Sequence, residues 1–176
     1  FKDRMRNLWK QSVNVAAYSY VLAKQLPAFN PEEALLAGLT HDVGVIPVLL
    51  YAEGYAELLH DTSLLDRVVD DLRADIGKTM LTKWGWSEVM IDTVVNAENW
   101  QYDSGAEGPN LTDIVIIAQV HAWLGAKDKP AHPPMGAITA FSKLEKVGLT
   151  PEKSIAMLAE AKELVEEVRR LVAVPA

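Results

Sequence analysis

The dipeptide His41-Asp42 carries the side chains best suited to chemistry in this sequence. An imidazole nitrogen and a carboxylate oxygen are both metal ligands, and together they suit divalent cations. Neighbouring residues on a regular helix point about 100° apart, so both reach one ion only where a helix ends or kinks. Gly44 can supply that ending. Taken alone, the dipeptide has a plainer explanation: a buried His held by a nearby acceptor, with Asp42 capping a helix end. A metal site needs several converging ligands, and the remaining histidines, His60, His121 and His132, are distant in sequence. There is no cysteine, so thiolate ligands, disulfides and cysteine nucleophiles are excluded. No glycine-rich phosphate loop, Ser-His-Asp arrangement or zinc-spaced motif is present.

The elements that must position these residues read as helices. Met5, Leu8, Trp9, Ser12, Val15, Ala16, Leu22 and Leu26 recur mostly at three- and four-residue steps, which marks one helix face closed by Pro27. Asn30 is a candidate N-cap, with Pro31 at the first helical position and Glu33 placed to complete a capping box. That helix runs toward His41 and is broken or bent by Gly44 and Pro47. A short helix follows over 55–60. Thr62 or Ser63 can cap the next, which carries Leu64, Leu65, Val68, Val69 and Leu72 and continues through Ile76 to Trp84. Gly85 terminates it, and Ser87 caps a helix with Met90, Ile91 and Val94. Gln101 to Asn110 is an expected loop. Thr112 can cap the β-branched run Ile114 to Leu124, which reads as helix because alternation is poor and its neighbours are helical. Lys127 to Pro134 is an expected loop, Met135 to Lys146 a helix, and Thr150-Pro151 the start of a long last helix ending near Val172. The fold class is all-α.

Composition bounds the remaining choices. The chain has 176 residues, 49% of them hydrophobic, enough for one well-buried domain. Net charge is -7, and the one adjacent basic pair, Arg169-Arg170, sits beside Glu166 and Glu167. The summed field repels a phosphate backbone, so no direct nucleic-acid partner is expected. The longest apolar stretch, Val43 to Ala52, is far short of the roughly 20 residues of a spanning helix, so no membrane partner is expected. A cytoplasmic location is the expectation. Glu160, Lys162, Glu163, Glu166, Glu167, Arg169 and Arg170 suggest an exposed helix face. Asp66, Asp70 and Asp71 suggest another. Trp9 and Trp123 are expected in the core. Trp84, Trp86 and Trp100 are expected to pack the core or cover helix ends rather than stack on a base.

The run Glu32-Glu33-Ala34-Leu35-Leu36-Ala37-Gly38-Leu39-Thr40-His41-Asp42-Val43-Gly44 resembles the core helix of the HD superfamily, in the form found in HDOD domains. Other stretches match in order and spacing. Leu8-Trp9 through Ser12 to Val15-Ala16 resembles the preceding helix. Ile76-Gly77 through Leu81 to Trp84-Gly85, then Glu88, resembles a later block, and Ile114 to Ala118 the final core helix. The resemblance covers roughly Met5 to Leu124 and implies an HD-superfamily-like helical bundle. It also implies a single domain over 1–176, lacking an N-terminal helical segment, with helices over 135–172 packing on the core or on a partner. The missing initiator Met fits a fragment or processed chain.

Active HD phosphohydrolases resemble one another in drawing His and Asp ligands from several helices. Where the resemblance places those ligands, this chain has Gln11, Arg73, Ala97, Glu98 and Gln119, and Val45 stands where a Lys often follows the motif. One His, two carboxylates at best and a cation do not offset two dications. An arginine there is expected to pair with Asp42 or Glu98 instead. The resemblance thus implies a degenerate pocket of His41, Asp42, Gln11, Arg73, Glu98 and Gln119. No cofactor is expected; if a single divalent metal binds, its ligands are His41, Asp42 and Glu98. The expected function is a non-catalytic signalling or regulatory domain in bacterial signal transduction. Its partners would be signalling proteins or a second copy in a homodimer. Two alternatives stand beside it: a metal-dependent phosphohydrolase with a reduced site, and a sensor of nucleotides or other anions that hydrolyses nothing.

Overall fold

The computed structural model describes residues 2–124, 132–160 and 162–172. Most of the loop expected over Lys127 to Pro134, and the side chains of Glu160 and Arg169 on the expected charged face, lie outside the described residues. Every regular element among the described residues is helical. In chain order they are α1 (Lys2–Lys24), α2 (Pro31–Thr40), α3 (Val45–Ala52), α4 (Ala56–His60), α5 (Thr62–Lys83), α6 (Glu88–Asn96), α7 (Leu111–Ala122), a 3-10 turn (Met135–Ala137), α8 (Thr139–Lys146), α9 (Pro151–Glu160) and α10 (Lys162–Val172).

The core forms where α1, α2, α6, α7 and α8 meet, with Val15, Leu22, Val94, Ile114, Ile117 and Phe141 all buried in one cluster. α1 and α2 approach closely because Gly38 has no side chain. A Cβ there would lie 2.8 Å from Ala16 Cα, Ser19 Oγ and the Val15 carbonyl oxygen. α7 is the innermost helix, and every residue from Leu111 to His121 is buried. A helix buried all round needs no polar stripe, which is why its sequence has no clear period. Its β-branched run is started as a helix by a capping box. Asn110 Oδ1 accepts from the Asp113 amide at 3.1 Å, and Asp113 Oδ2 accepts from the Asn110 amide at 2.8 Å. α9 and α10 close one side of α1, where Ala17 and Val21 pack with Leu158, Val165 and Val168.

Several local expectations shift. The cap of α7 is Asn110, not Thr112, whose hydroxyl faces Thr93 and Asp92. The cap of α5 is Asp61, which accepts from the Leu64 amide at 2.9 Å, not Thr62 or Ser63. Asn30 caps α2 through the amides of Glu32 and Glu33, but Glu33 makes no return bond to the Asn30 amide. Pro47 lies inside the first turn of α3, where its missing N–H costs nothing, so the break falls at residues 41–44 alone. The helix expected from Met135 splits into the 3-10 turn and α8. Trp123 is buried, but Trp9 is 39% exposed. The combined run Pro31–Ala52 is long and apolar enough, by length and composition, to cross a membrane. Here it is broken at 41–44 and buries Ala34, Ala37, Gly38, Val48 and Leu49 within the fold.

Candidate functional site

α2 ends at Thr40 and α3 starts at Val45, so His41 and Asp42 sit in the turn between them. Two glycines let α5 come up against that turn. A Cβ on Gly44 would lie 2.0 Å from the Arg73 carbonyl oxygen, and one on Gly77 would lie 2.5 Å from Val94 Cγ1. The turn of α5 that carries Arg73 is thereby held against the His41-Asp42 corner, with the end of α6 beside it.

Arg73 is 9% exposed, and its guanidinium bridges two carboxylates. Nη1 donates to Asp42 Oδ1 at 2.8 Å, and Nη2 lies 2.9 Å from Glu98 Oε2. His41 is 1% exposed. Its Nδ1 donates to the Gly38 carbonyl oxygen at 2.7 Å, which leaves Nε2 facing Asp42 Oδ2 at 3.3 Å. That second contact lacks the direction of a hydrogen bond, since Nε2 has no hydrogen-bond partner. It is an attraction between charges, and it asks for the imidazolium form. Burial of the ring opposes the charge, but Asp42 and the Gly38 carbonyl outweigh it and raise the His41 pKa. Burial also works against the Asp42 carboxylate, yet His41 and Arg73 overcome it and lower its pKa to about 2. Glu98 is pushed up to about 6 by burial and by Asp42, with Arg73 only partly compensating. His41, Asp42, Arg73 and Glu98 thus form a closed cluster of alternating charge.

Of the other expected members, Gln119 lies one step removed: its Nε2 donates to the carbonyl of Ala97, the residue before Glu98. Its Oε1 is buried without a partner, as is Nε2 of Gln11 on α1. Gln11 does not line the cavity over the cluster. That cavity, of about 210 Å3, is lined by Leu8, Val45, Leu49 and Val69 and by charged groups of both signs. Carboxylates of Asp42, Asp66, Asp70 and Glu98 outnumber the guanidiniums of Arg4 and Arg73 there, and Arg4 is already paired with Asp66.

These residues do not fit a dinuclear metal centre. Among the described residues no three His, Asp or Glu side chains converge as a ligand set. Both nitrogens of His41 face groups of the chain itself, and the space between Asp42 and Glu98 is filled by a cation. What the arrangement can do is hold α2, α3, α5 and the end of α6 in one register.

Other buried and part-buried polar groups carry no mark in the sequence. Asp92 accepts from the Tyr102 hydroxyl at 2.6 Å, and that hydroxyl accepts from Asn110 Nδ2 at 2.8 Å. Lys143 is buried and ion-paired with Asp103 at 2.8 Å. His121 lies 2.8 Å from Ser154 Oγ. No motif marks any of these, because the partners sit on different elements.

A sequence model of the HDOD domain matches residues 2–100. A comparison with curated proteins gives no match. Two solved structures share the fold. One is a protein from Shewanella amazonensis SB2B provisionally described as a metal-dependent phosphohydrolase, at TM-score 0.71 and 20% identity over 95% of this chain. The other is an HDOD domain protein of unknown function from Geobacter sulfurreducens, at TM-score 0.61 and 19% identity over 94% of this chain. The match covers 60% of the first protein and 61% of the second, so this chain spans about three-fifths of their length.

Proposed function

The chain belongs to the HDOD domain family, and from that membership we propose that it acts as a non-catalytic regulatory module in cytoplasmic, bacterial signal transduction. The observation that carries this reading is the Arg73 bridge between Asp42 and Glu98. A guanidinium cannot leave its proton at any working pH. It therefore supplies permanently the positive charge that a metal supplies in the hydrolytic relatives of the superfamily, without a Lewis acid or a bound hydroxide.

The same geometry argues against both alternatives. A phosphohydrolase using His41, Asp42 and Glu98 would have to displace Arg73 from two carboxylates. An anion sensor using Arg73 meets a guanidinium already paired with two carboxylates and a cavity with excess carboxylate. The module's partners are other signalling proteins or a second copy. Trp9 and Ile46, both exposed, line one largely apolar cavity with Met5, Leu8, Leu39 and Val43, a surface of the kind that marks interaction sites.

The test is hydrolysis of bis-p-nitrophenyl phosphate and p-nitrophenyl phosphate with added manganese, by the wild type and by Asp42→Ala. Both should stay at the same background rate. Wild-type turnover that disappears in Asp42→Ala would establish the enzyme reading.

A further inference from the structure

Where α3 passes into α4, two exposed tyrosines are held against each other. Tyr51 stands in the last turn of α3, and Tyr55 is the residue that starts α4. The backbone folds back between them: the Gly54 amide donates to the Tyr51 carbonyl oxygen at 3.2 Å, and the Tyr55 amide donates to that of Ala52 at 3.0 Å. The turn sets the two rings side by side, with centroids 5.0 Å apart and planes tilted by 38°. Their hydroxyl oxygens are closer still, 2.6 Å apart in a hydrogen bond. The rings thus lean together at their hydroxyl ends, the ends that carry the ortho carbons. Both side chains are open to solvent, Tyr51 at 69% and Tyr55 at 47%.

An exposed phenol gives up one electron and its hydroxyl proton to a one-electron oxidant, and the phenoxyl radical carries its spin on oxygen and on the ortho carbons. Each hydroxyl can donate or accept, so a hydrogen atom passes between phenol and phenoxyl at no net cost. The radical is shared by the pair whichever ring is oxidised first. A second oxidation puts two radicals in contact, and their coupling is then a step within one molecule rather than an encounter between two. The chain has no cysteine, so no thiol of its own reduces the radical first. Tyr102 lacks this arrangement: it is buried, and its hydroxyl donates to the Asp92 carboxylate.

We propose that Tyr51 and Tyr55 form an oxidative crosslinking site, joined as dityrosine by a one-electron oxidant of the haem-peroxidase class acting with hydrogen peroxide. Each hydroxyl loses one electron and one proton. A carbon–carbon bond forms between the ortho positions, and each ortho proton then moves to the oxygen of its own ring, which restores both phenols. The chain loses two hydrogen atoms in all, and one peroxide is reduced to two waters. The new bond staples the end of α3 to the start of α4, beside Ala52, which packs with Leu65 of α5. The modification is independent of the Arg73 cluster.

The test treats the full chain with a haem peroxidase and hydrogen peroxide. The monomeric product should be lighter by two hydrogen atoms, should show dityrosine fluorescence, and should form in the same yield when the chain is diluted. Cleavage after Glu53 parts Tyr51 from Tyr55, so fragments that stay joined after that cut place the bond between the two rings. Tyr51→Phe and Tyr55→Phe keep an exposed ring and remove one hydroxyl, and each should lower the fluorescence by about tenfold or more. Tyr20→Phe should leave it unchanged. Linkage between chains alone, oxidation that stops on tryptophan, or dityrosine that survives Tyr55→Phe would each overturn the proposal.

Discussion

At the scale of single residues, Arg73 holds the cluster together. Its side chain is about 10% exposed and Asp42 about 12%, so the pair is poorly screened by water. Truncating one member of such a pair leaves the other charge buried, which costs more than the intact pair contributes. Arg73→Ala should therefore destabilise the chain by about 2–4 kcal/mol in urea unfolding, discounted because Glu98 is partly exposed. Arg170→Ala, on the exposed face of α10, should stay within about 0.5 kcal/mol. Similar losses at both positions would contradict the buried cluster. The acids give a second signature, with opposite signs. Glu98 is raised to about 6, so its contribution is complete below the ordinary 4.5 and is lost as pH rises through about 6. Asp42 is lowered to about 2, so its contribution is present above the ordinary 3.8 and is lost as pH falls through about 2. The wild type should thus lose stability relative to Glu98→Gln as pH rises from 4.5 past 6, and a flat difference would show that Glu98 is not held in this field. Arg73 was legible in the sequence because it stands four residues before Gly77, in a block that otherwise fits the family pattern. The pairing of His121 with Ser154 was not, since a buried His on an apolar helix has no sequence mark separating core from pocket.

At the scale of elements, the cluster exists because α3 and α5 touch without side chains between them. Gly44→Ala would put a Cβ 2.0 Å from the Arg73 carbonyl, against backbone that cannot turn aside. It should cost about 3 kcal/mol or more by overpacking and should move Arg73 away from Asp42. Gly85→Ala is the control: φ is +74° and no atom stands within 4 Å of the added Cβ, so its cost should be only about 1–2 kcal/mol. Chemical denaturation of both variants orders the two effects, and a larger loss at Gly85 would contradict the close crossing. Which helices form was readable from periodicity and punctuation. Which residue caps them was less so. Asp61 stands next to Thr62 and Ser63, and Asn110 two before Thr112, and all these types cap well. The choice falls to geometry: the Thr112 hydroxyl is taken up by Thr93 and Asp92, so Asn110 is left to close α7.

At the scale of the whole molecule, the chain has the helical fold of the HDOD family, and a guanidinium stands between two carboxylates where its helices meet. The His41-Asp42 corner, Gly44, Gly77 and the end of α6 converge there. All-α architecture was legible because the whole sequence lacks strand alternation. The relation of α9 and α10 to α1 was not, because an apolar face does not name what covers it. On the proposed reading Arg73 stands in place of metal. The direct measurement is elemental analysis of chain purified without chelator, followed by calorimetric titration with manganese. Much less than two metal ions per chain and no tight uptake are expected, whereas two firmly held ions per chain, lost in Asp42→Ala, would show that Arg73 does not fill the metal's place.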